Sequence, residues 1–277
     1  MGGPMAGHLV HAGHAVTVWN RTTSVAEVFR AHGATVARDA SAFKECDFVV
    51  MCVGGSNDSR EVAAFLAPGL KRGATVIDHT TIEPSAAVEI AHKLAAQGVH
   101  YIDAPVTGGY IGAQKGTLTV FCGGSQEIID AAISVISAYA KRIERVGELG
   151  MGEKMKMANQ IAVGGALLGL CESLAFAKRA GLDLAQTRDM LSAGAAGSWA
   201  FENYGPKILA NDWSPGFKIA HQNKDFRYTI DEAKALDIAV PTTQLCLQLL
   251  EKLEQEGHAD WTTCALYEKM LQMGFEG

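Results

Sequence analysis

The most constraining feature of this sequence is an alternation, in its first half, of short apolar β-type runs with helix-forming stretches. Asp47-Phe-Val-Val-Met-Cys-Val53 is almost uninterruptedly apolar, the pattern of a strand buried on both faces. Ala15-Val-Thr-Val-Trp19 and Ala74-Thr-Val-Ile-Asp78 are further runs of this type, and another ends at Tyr101-Ile102. Between them, Ser24-Val-Ala-Glu27 reads as a capping box that opens a helix closing at Gly33, and a second helix follows Pro84. Units of this length predict an α/β Rossmann-type fold, a doubly wound parallel sheet.

The second half has another character. From Met151 to about Lys178 apolar residues recur at helical spacing without proline, which predicts one long interdomain helix. Segments 184–193, 222–236, 241–256 and 261–273 also have helical patterning, and strand-like runs are nearly absent. The reading is two domains, 1–148 for dinucleotide binding and 149–277 all-α, consistent with 277 residues.

Composition excludes several classes. With 48% hydrophobic and 19% charged residues, the chain is neither disordered nor collagen-like. The net charge is −6 and no segment concentrates Lys and Arg, so no nucleic-acid partner is expected. Six scattered cysteines without a C-x-x-C pair indicate a reducing compartment and no zinc site. His8, His11 and His14 are spaced by three but have no Cys or carboxylate with them, so no metal is expected. The most apolar stretch, Met157 to Cys171, is shorter than the roughly 20 residues a bilayer requires, and no signal-type segment opens the chain. A cytoplasmic protein without a membrane partner is the expectation.

The opening residues depart from the pattern. Met1-Gly-Gly-Pro-Met-Ala6 looks like the start of a helix with Pro4 in its first turn, continuing to Gly13. A doubly wound fold begins instead with a strand and a Gly-rich turn. Of G-x-G-x-x-G only the last glycine, Gly2, is matched. The expected sheet is therefore N-terminally truncated.

Four clusters carry chemistry. Trp19-Asn20-Arg21-Thr22 ends the second strand of such a fold, where an acidic residue accepts the ribose 2′-OH of NAD and an arginine accommodates the 2′-phosphate of NADP. Here the acid is missing and Arg21 and Thr22 offer donors. Asp103-Ala-Pro-Val-Thr-Gly-Gly109 follows a strand, and Gly108 and Gly109 let backbone approach an anion beside the Thr107 hydroxyl. In Gly150-Met-Gly-Glu-Lys-Met-Lys-Met-Ala-Asn159-Gln160, Lys156, Asn159 and Gln160 fall on one helix face. A lysine held there beside apolar surface can act as acid and base. Phe217-Lys-Ile-Ala-His-Gln-Asn-Lys224-Asp225 is either a helix-start charge pair or a ligand contact.

In this order and spacing the clusters resemble the β-hydroxyacid dehydrogenase family, which includes 3-hydroxyisobutyrate dehydrogenase and tartronate semialdehyde reductase. The resemblance covers essentially the whole chain. Asp78-His-Thr-Thr81 resembles the family's D-x-[ST]-T cofactor stretch, Asp103–Gly109 its D-A-P-V-S-G-G motif with Thr107 for Ser, and Gly150–Gln160 its lysine motif. Gly216-Phe-Lys-Ile-Ala220 and Lys224-Asp225 resemble the C-terminal motif. Val53-Gly54 stands where many members have Leu-Pro.

The resemblance implies NADP as cofactor, with NAD possible, bound by Gly2, Asn20, Arg21, Thr22, Val53, Gly54, Thr81 and Lys224. It implies reduction of a short carboxylate semialdehyde, with tartronate semialdehyde favoured, and the reverse oxidation of the hydroxyacid. Lys156 would be the general acid and base, Asn159 would orient it, and Thr107, Gly108, Gly109 and Lys224 would hold the substrate. A homodimer or homotetramer through the helical domain is expected. Two alternatives are an imine reductase, whose members usually carry Asp or Tyr in place of Lys156, and a non-catalytic dehydrogenase-like binding module, which typically loses the lysine.

Overall fold

A computed structural model describes residues 1–274. The chain divides into two compact units, Met1–Lys156 and Met157–Gly277. The division falls later than 148/149 because the start of the long helix is tied into the first unit, as described below.

The first unit opens with helix α1 (Gly2–His11), followed by the short strand β1 (Thr17–Val18). Helix α2 (Thr23–Glu27) tightens into a 3-10 turn, Val28–His32, that ends on left-handed Gly33. Its N-cap is Thr22 rather than Ser24. The expected capping box is not made: Ser24 lies inside the helix, and Glu27 pairs with Arg30 at 2.9 Å. After β2 (Thr35–Val36) come β3 (Phe48–Met51), α3 (Ser56–Leu66), β4 (Thr75–Asp78), α4 (Pro84–Ala95) and β5 (His100–Asp103). The unit continues through β6 (Val106–Thr107), α5 (Gly109–Lys115), β7 (Leu118–Gly123), α6 (Gln126–Ile136) and β8 (Ala140–Gly147).

The strand layer is divided into two sheets. β1 and β2 form a parallel pair of their own, and the other strands run in the order β3-β4-β5-β7-β6 with β8 also on β7. β3, β4 and β5 are parallel, but β7 is antiparallel to both β5 and β6, so the sheet is mixed rather than wholly parallel. β3 sits at the edge of its sheet, and this corrects its expected burial. Val49 and Met51 are buried while Phe48 and Val50 are half-exposed. β4 has neighbours on both sides and is buried at every position. Two apolar cores flank the sheet, one around Val76, Ile82, Ile90 and Leu94, the other around Ile77, Ile102, Leu118 and Ile136.

Helix α7 (Met151–Arg179) leads into the second unit. Its length and composition would let it cross a membrane, contrary to the shorter estimate from Met157–Cys171, but half of its apolar window is packed inside the protein. Helices α8 (Leu184–Ala193), α9 (Trp199–Asn203), α10 (Gly205–Leu209), α11 (Ile219–Ala235), α12 (Pro241–Leu253) and α13 (Leu266–Gln272) follow. Their shared core gathers Leu167, Leu170, Leu174, Phe226, Leu250 and Leu266. The stretches expected as helix over 241–256 and 261–273 are each interrupted. A π-turn at Glu254–His258 contains left-handed Gly257, and a 3-10 turn occupies Thr263–Ala265.

Candidate active site

Strand β5 ends on Asp103, which is fully buried. Its Oδ1 accepts the Gly150 N–H at 2.8 Å and its Oδ2 accepts the Glu153 N–H at 3.1 Å. The N–H groups at a helix start have no helical acceptor, and a carboxylate there also faces the positive end of the helix dipole. Gly152 makes this approach possible. A Cβ on it would lie 2.5 Å from the Phe121 carbonyl oxygen and 2.6 Å from that of Asp103. Burial pushes the Asp103 carboxyl up to about 6, and the backbone donors that face it oppose the rise.

One turn past Glu153, the buried Lys156 donates from Nζ to the Val106 carbonyl at 3.0 Å. The loop Asp103–Thr107 therefore grips the start of α7 at two points. A third tie comes from Glu153, whose Oε2 accepts the Ile82 N–H at 3.1 Å in the loop between β4 and α4. Thr107 ends β6, opposite Thr119 of β7, and Gly108 and Gly109 follow with φ of 115° and 65°. These angles suit glycine and turn the chain into α5.

Polar side chains also join the loops that follow β3, β4 and β5. Thr80 Oγ1 accepts the Val53 N–H at 2.9 Å, and Asp78 Oδ1 accepts the Thr80 N–H at 2.9 Å. Asp78 Oδ2 accepts the Tyr101 hydroxyl at 3.2 Å, and burial raises the Asp78 carboxyl above its ordinary value. His79 lies 2.5 Å through Nδ1 from the Ala104 carbonyl, which can only accept. Nδ1 therefore carries the proton, and Nε2 accepts the Tyr139 hydroxyl at 2.8 Å. Burial lowers the imidazole to about 4, so it is neutral at pH 7. Thr81, the next residue but one, is half-buried in the same loop.

The turn after β1 is built differently. Asn20 Oδ1 accepts the Thr22 N–H at 2.8 Å, a local Asx turn that presents the Arg21 side chain with 67% of it exposed. Its Nη2 lies 2.6 Å from Asp58 Oδ1 and 3.6 Å from Glu61 on α3. Gly2 opens α1 close to the end of β3, where a Cβ would sit 3.5 Å from the Cys52 Cβ. This donor set suits a dinucleotide, with a guanidinium and a hydroxyl for a phosphorylated ribose and close backbone at Gly2 and Gly54.

In the second unit the remaining motif residues form a chain. The fully buried Phe226 of α11 packs on α7 at Gly164, where a Cβ would come 2.8 Å from its ring. That contact brings Asp225 to α7. Asn159 Nδ2 donates to Gln160 Oε1 at 2.9 Å, and Gln160 Nε2 donates to Asp225 Oδ2 at 2.8 Å. Lys224 Nζ lies 3.0 Å from Asp225 Oδ1 and 5.2 Å from the centre of the Tyr228 ring. Asp225 is the buried centre of this group.

Residues 1–147 match the NAD binding domain of 6-phosphogluconate dehydrogenase. Residues 150–270 match the NAD-binding domain of NADP-dependent 3-hydroxyisobutyrate dehydrogenase. The chain belongs to the β-hydroxyacid dehydrogenase family. It is 39% identical to a probable mitochondrial 3-hydroxyisobutyrate dehydrogenase-like protein of Arabidopsis thaliana, over 96% of this chain and 81% of the relative. It is 31% identical to 2-hydroxy-3-oxopropionate reductase of Escherichia coli, over 99% of this chain and 94% of the relative. The crystal structure of a 3-hydroxyisobutyrate dehydrogenase from Salmonella typhimurium superposes with a TM-score of 0.89 at 27% identity, covering 96% of this chain and 95% of that one. This β-hydroxyacid dehydrogenase is accordingly an NAD(P)-dependent oxidoreductase.

Within this family member the structure links Thr107 and Lys156 through Val106, Val53 and Thr80 through a hydrogen bond, and Asn159 and Lys224 through Gln160 and Asp225. Among the participants that were not sequence-predicted site residues are Asp58, Thr80, Asp103, Val106, Glu153, Gln160 and Asp225. All of these but Asp58 lie inside the recognised motifs, so the motifs themselves carried a signal. Asp58 lies outside any.

Proposed function

We propose that the enzyme uses NADP(H) to reduce a short carboxylate semialdehyde to its hydroxyacid, and to run the reverse oxidation, with Lys156 as the general acid and base. The observation that carries this reading is the buried Lys156 amine, held 3.0 Å from the Val106 carbonyl by the loop that also contains Thr107, Gly108 and Gly109. A lysine head desolvated on one side and fixed by an acceptor is poised to exchange a proton with a substrate oxygen. A bound nicotinamide supplies the hydride chemistry. Lys156 delivers a proton from Nζ to the developing alkoxide and takes it back in the oxidative direction. The backbone of Gly108 and Gly109 and the Thr107 hydroxyl bind the carboxylate. Asn159, one turn along the same helix from Lys156, orients the substrate oxygen, and Lys224 is a further ligand contact assigned on its motif. Asn20, Arg21 and Thr22 accommodate the 2′-phosphate, with Gly2, Val53, Gly54 and Thr81 against the rest of the cofactor.

The C-terminal motif favours tartronate semialdehyde as the aldehyde. The test is NADPH oxidation against tartronate, methylmalonate and succinic semialdehydes and glyoxylate. The highest kcat/KM is expected with tartronate semialdehyde. Turnover with none of them would overturn the reading. A homodimer or homotetramer is proposed as well, because the helical unit leaves Phe176 71% and Met190 70% exposed. Light scattering on the purified chain checks it, and a monomer would refute it.

A further inference from the structure

Arg21 is already occupied by a charge of the wrong sign for an anion site. Its guanidinium lies 2.6 Å from Asp58 and 3.6 Å from Glu61, so one cation stands between two carboxylates and the cluster carries a net negative charge. A phosphate monoester brings a further charge of about −1.5 to −2 at pH 7. For it to engage Arg21 bidentately, the Asp58 contact must be displaced or shared, and the two anions would lie within about a Debye length of each other. NAD lacks the 2′-phosphate and leaves the Arg21–Asp58 pair undisturbed.

A second observation ties this pair to the cofactor loop. A Cβ on Gly54 would stand 2.4 Å from Asp58 Oδ2 and 3.3 Å from its Cγ. The carboxylate therefore lies over the backbone of residue 54, in space that only glycine leaves open. Gly54 is not in the left-handed region, so an alanine there meets no backbone strain, only the carboxylate. Displacing Asp58 from residue 54 moves it away from its present position against Arg21.

We propose that Asp58 is a coenzyme-specificity residue: it competes with the 2′-phosphate of NADP for the Arg21 guanidinium, in a position that Gly54 provides, and so draws the enzyme's preference back toward NAD. The inference rests on the proposed role of Arg21 as the 2′-phosphate ligand. Its experiment separates the two claims. Dissociation constants for NADP+ and NAD+ are measured by isothermal titration calorimetry, at one fixed ionic strength, for the whole chain and for Asp58→Asn, Gly54→Ala and Arg21→Ala. Asp58→Asn is expected to tighten NADP+ by about two- to fivefold and to move NAD+ by less than about twofold, the scale of an exposed ion pair. Gly54 also lies against the cofactor in the proposed function, so Gly54→Ala is read by the ratio of NADP+ to NAD+ affinity, which is expected to move in the same direction by a smaller factor, and it carries the test if Asp58→Asn fails to fold. Arg21→Ala weakening NADP+ while Asp58→Asn leaves it unchanged would overturn the role of Asp58 and spare that of Arg21. Asp58→Asn weakening NAD+ would also overturn it, since Asp58 would then be a ribose acceptor. An unchanged NADP+ to NAD+ ratio in Arg21→Ala would remove the Arg21 reading and the inference with it.

Discussion

Two regions of the first unit handle charge in opposite ways. Around Lys156, the buried Asp103, Glu153 and Lys156 each make a hydrogen bond to a different segment: Asp103 with Gly150 and Glu153, Lys156 with Val106, Glu153 with Ile82. Around Arg21 the guanidinium is mostly solvent-exposed, and its geometry comes from a local Asx turn and an exposed ion pair. The first arrangement fixes position, because breaking a buried bond leaves an unsatisfied group. The second leaves the guanidinium adjustable, because exposed pairs are worth about a kilocalorie or less and exchange readily with a ligand. Under the proposed roles of Lys156 and Arg21, rigid geometry goes with the proton transfer and adjustable electrostatics with cofactor choice.

Lys156→Ala breaks the comparison most severely. It is expected to lower kcat by about a thousandfold, within the range of general acid–base catalysis, while NADPH binding measured by fluorescence is retained. Near-normal turnover would remove Lys156 from the mechanism.

Acid stability probes the buried network. Burial lowers His79 from 6.5 to about 4, so the unfolded chain takes up a proton below pH 6.5 and the folded chain does not. This contribution to stability is lost as the pH falls from 6.5 to 4, by up to about 3 kcal/mol. Asp103 acts in the opposite sense over nearly the same window. Its carboxyl is raised to about 6, so the folded chain takes up the proton first and acidification relieves its buried charge. His79→Gln removes only the first effect. The stability gap between wild type and this variant, from urea midpoints, should shrink by about 3 kcal/mol between pH 7 and pH 4. Parallel curves would show that His79 does not titrate as a buried neutral group.

Asp103→Asn sharpens the comparison at the helix start. An amide retains one acceptor but turns N–H groups toward an N–H donor of the backbone. The expected result is a fall in kcat of about 30-fold through misplacement of Lys156, with little change in cofactor affinity. A loss confined to thermal stability would reduce Asp103 to a structural cap. The smallest effect is at the exposed turn, where Arg21→Ala should weaken NADP+ by about tenfold and leave NAD+ nearly unchanged in the same titrations.

Much of the molecule was legible in the sequence. The limits of α8 match the expected 184–193, and α1 and α7 begin and end close to where glycine, proline and apolar spacing put them. Such signals are local, since a helix forms from residues three and four apart. Local reading failed where a distant group or a neighbouring charge intervened. Ser24-Val-Ala-Glu27 has the letters of a capping box, but Arg30 takes the glutamate. Asp47–Val53 has the composition of a central strand, but it lies at a sheet edge, and composition does not specify neighbours.

The sequence by itself determined which chemistry is present: a lysine motif on a helix, a glycine pair after a strand, an arginine in the turn after another strand. The tertiary structure decided which groups hold them. Asp103 and Gly150 are 47 residues apart, Gln160 and Asp225 are 65 apart, and Arg21 and Asp58 are 37 apart. A buried polar group must find a partner, but which one it finds depends on how the strands and helices pack. That choice lies outside any window of local spacing.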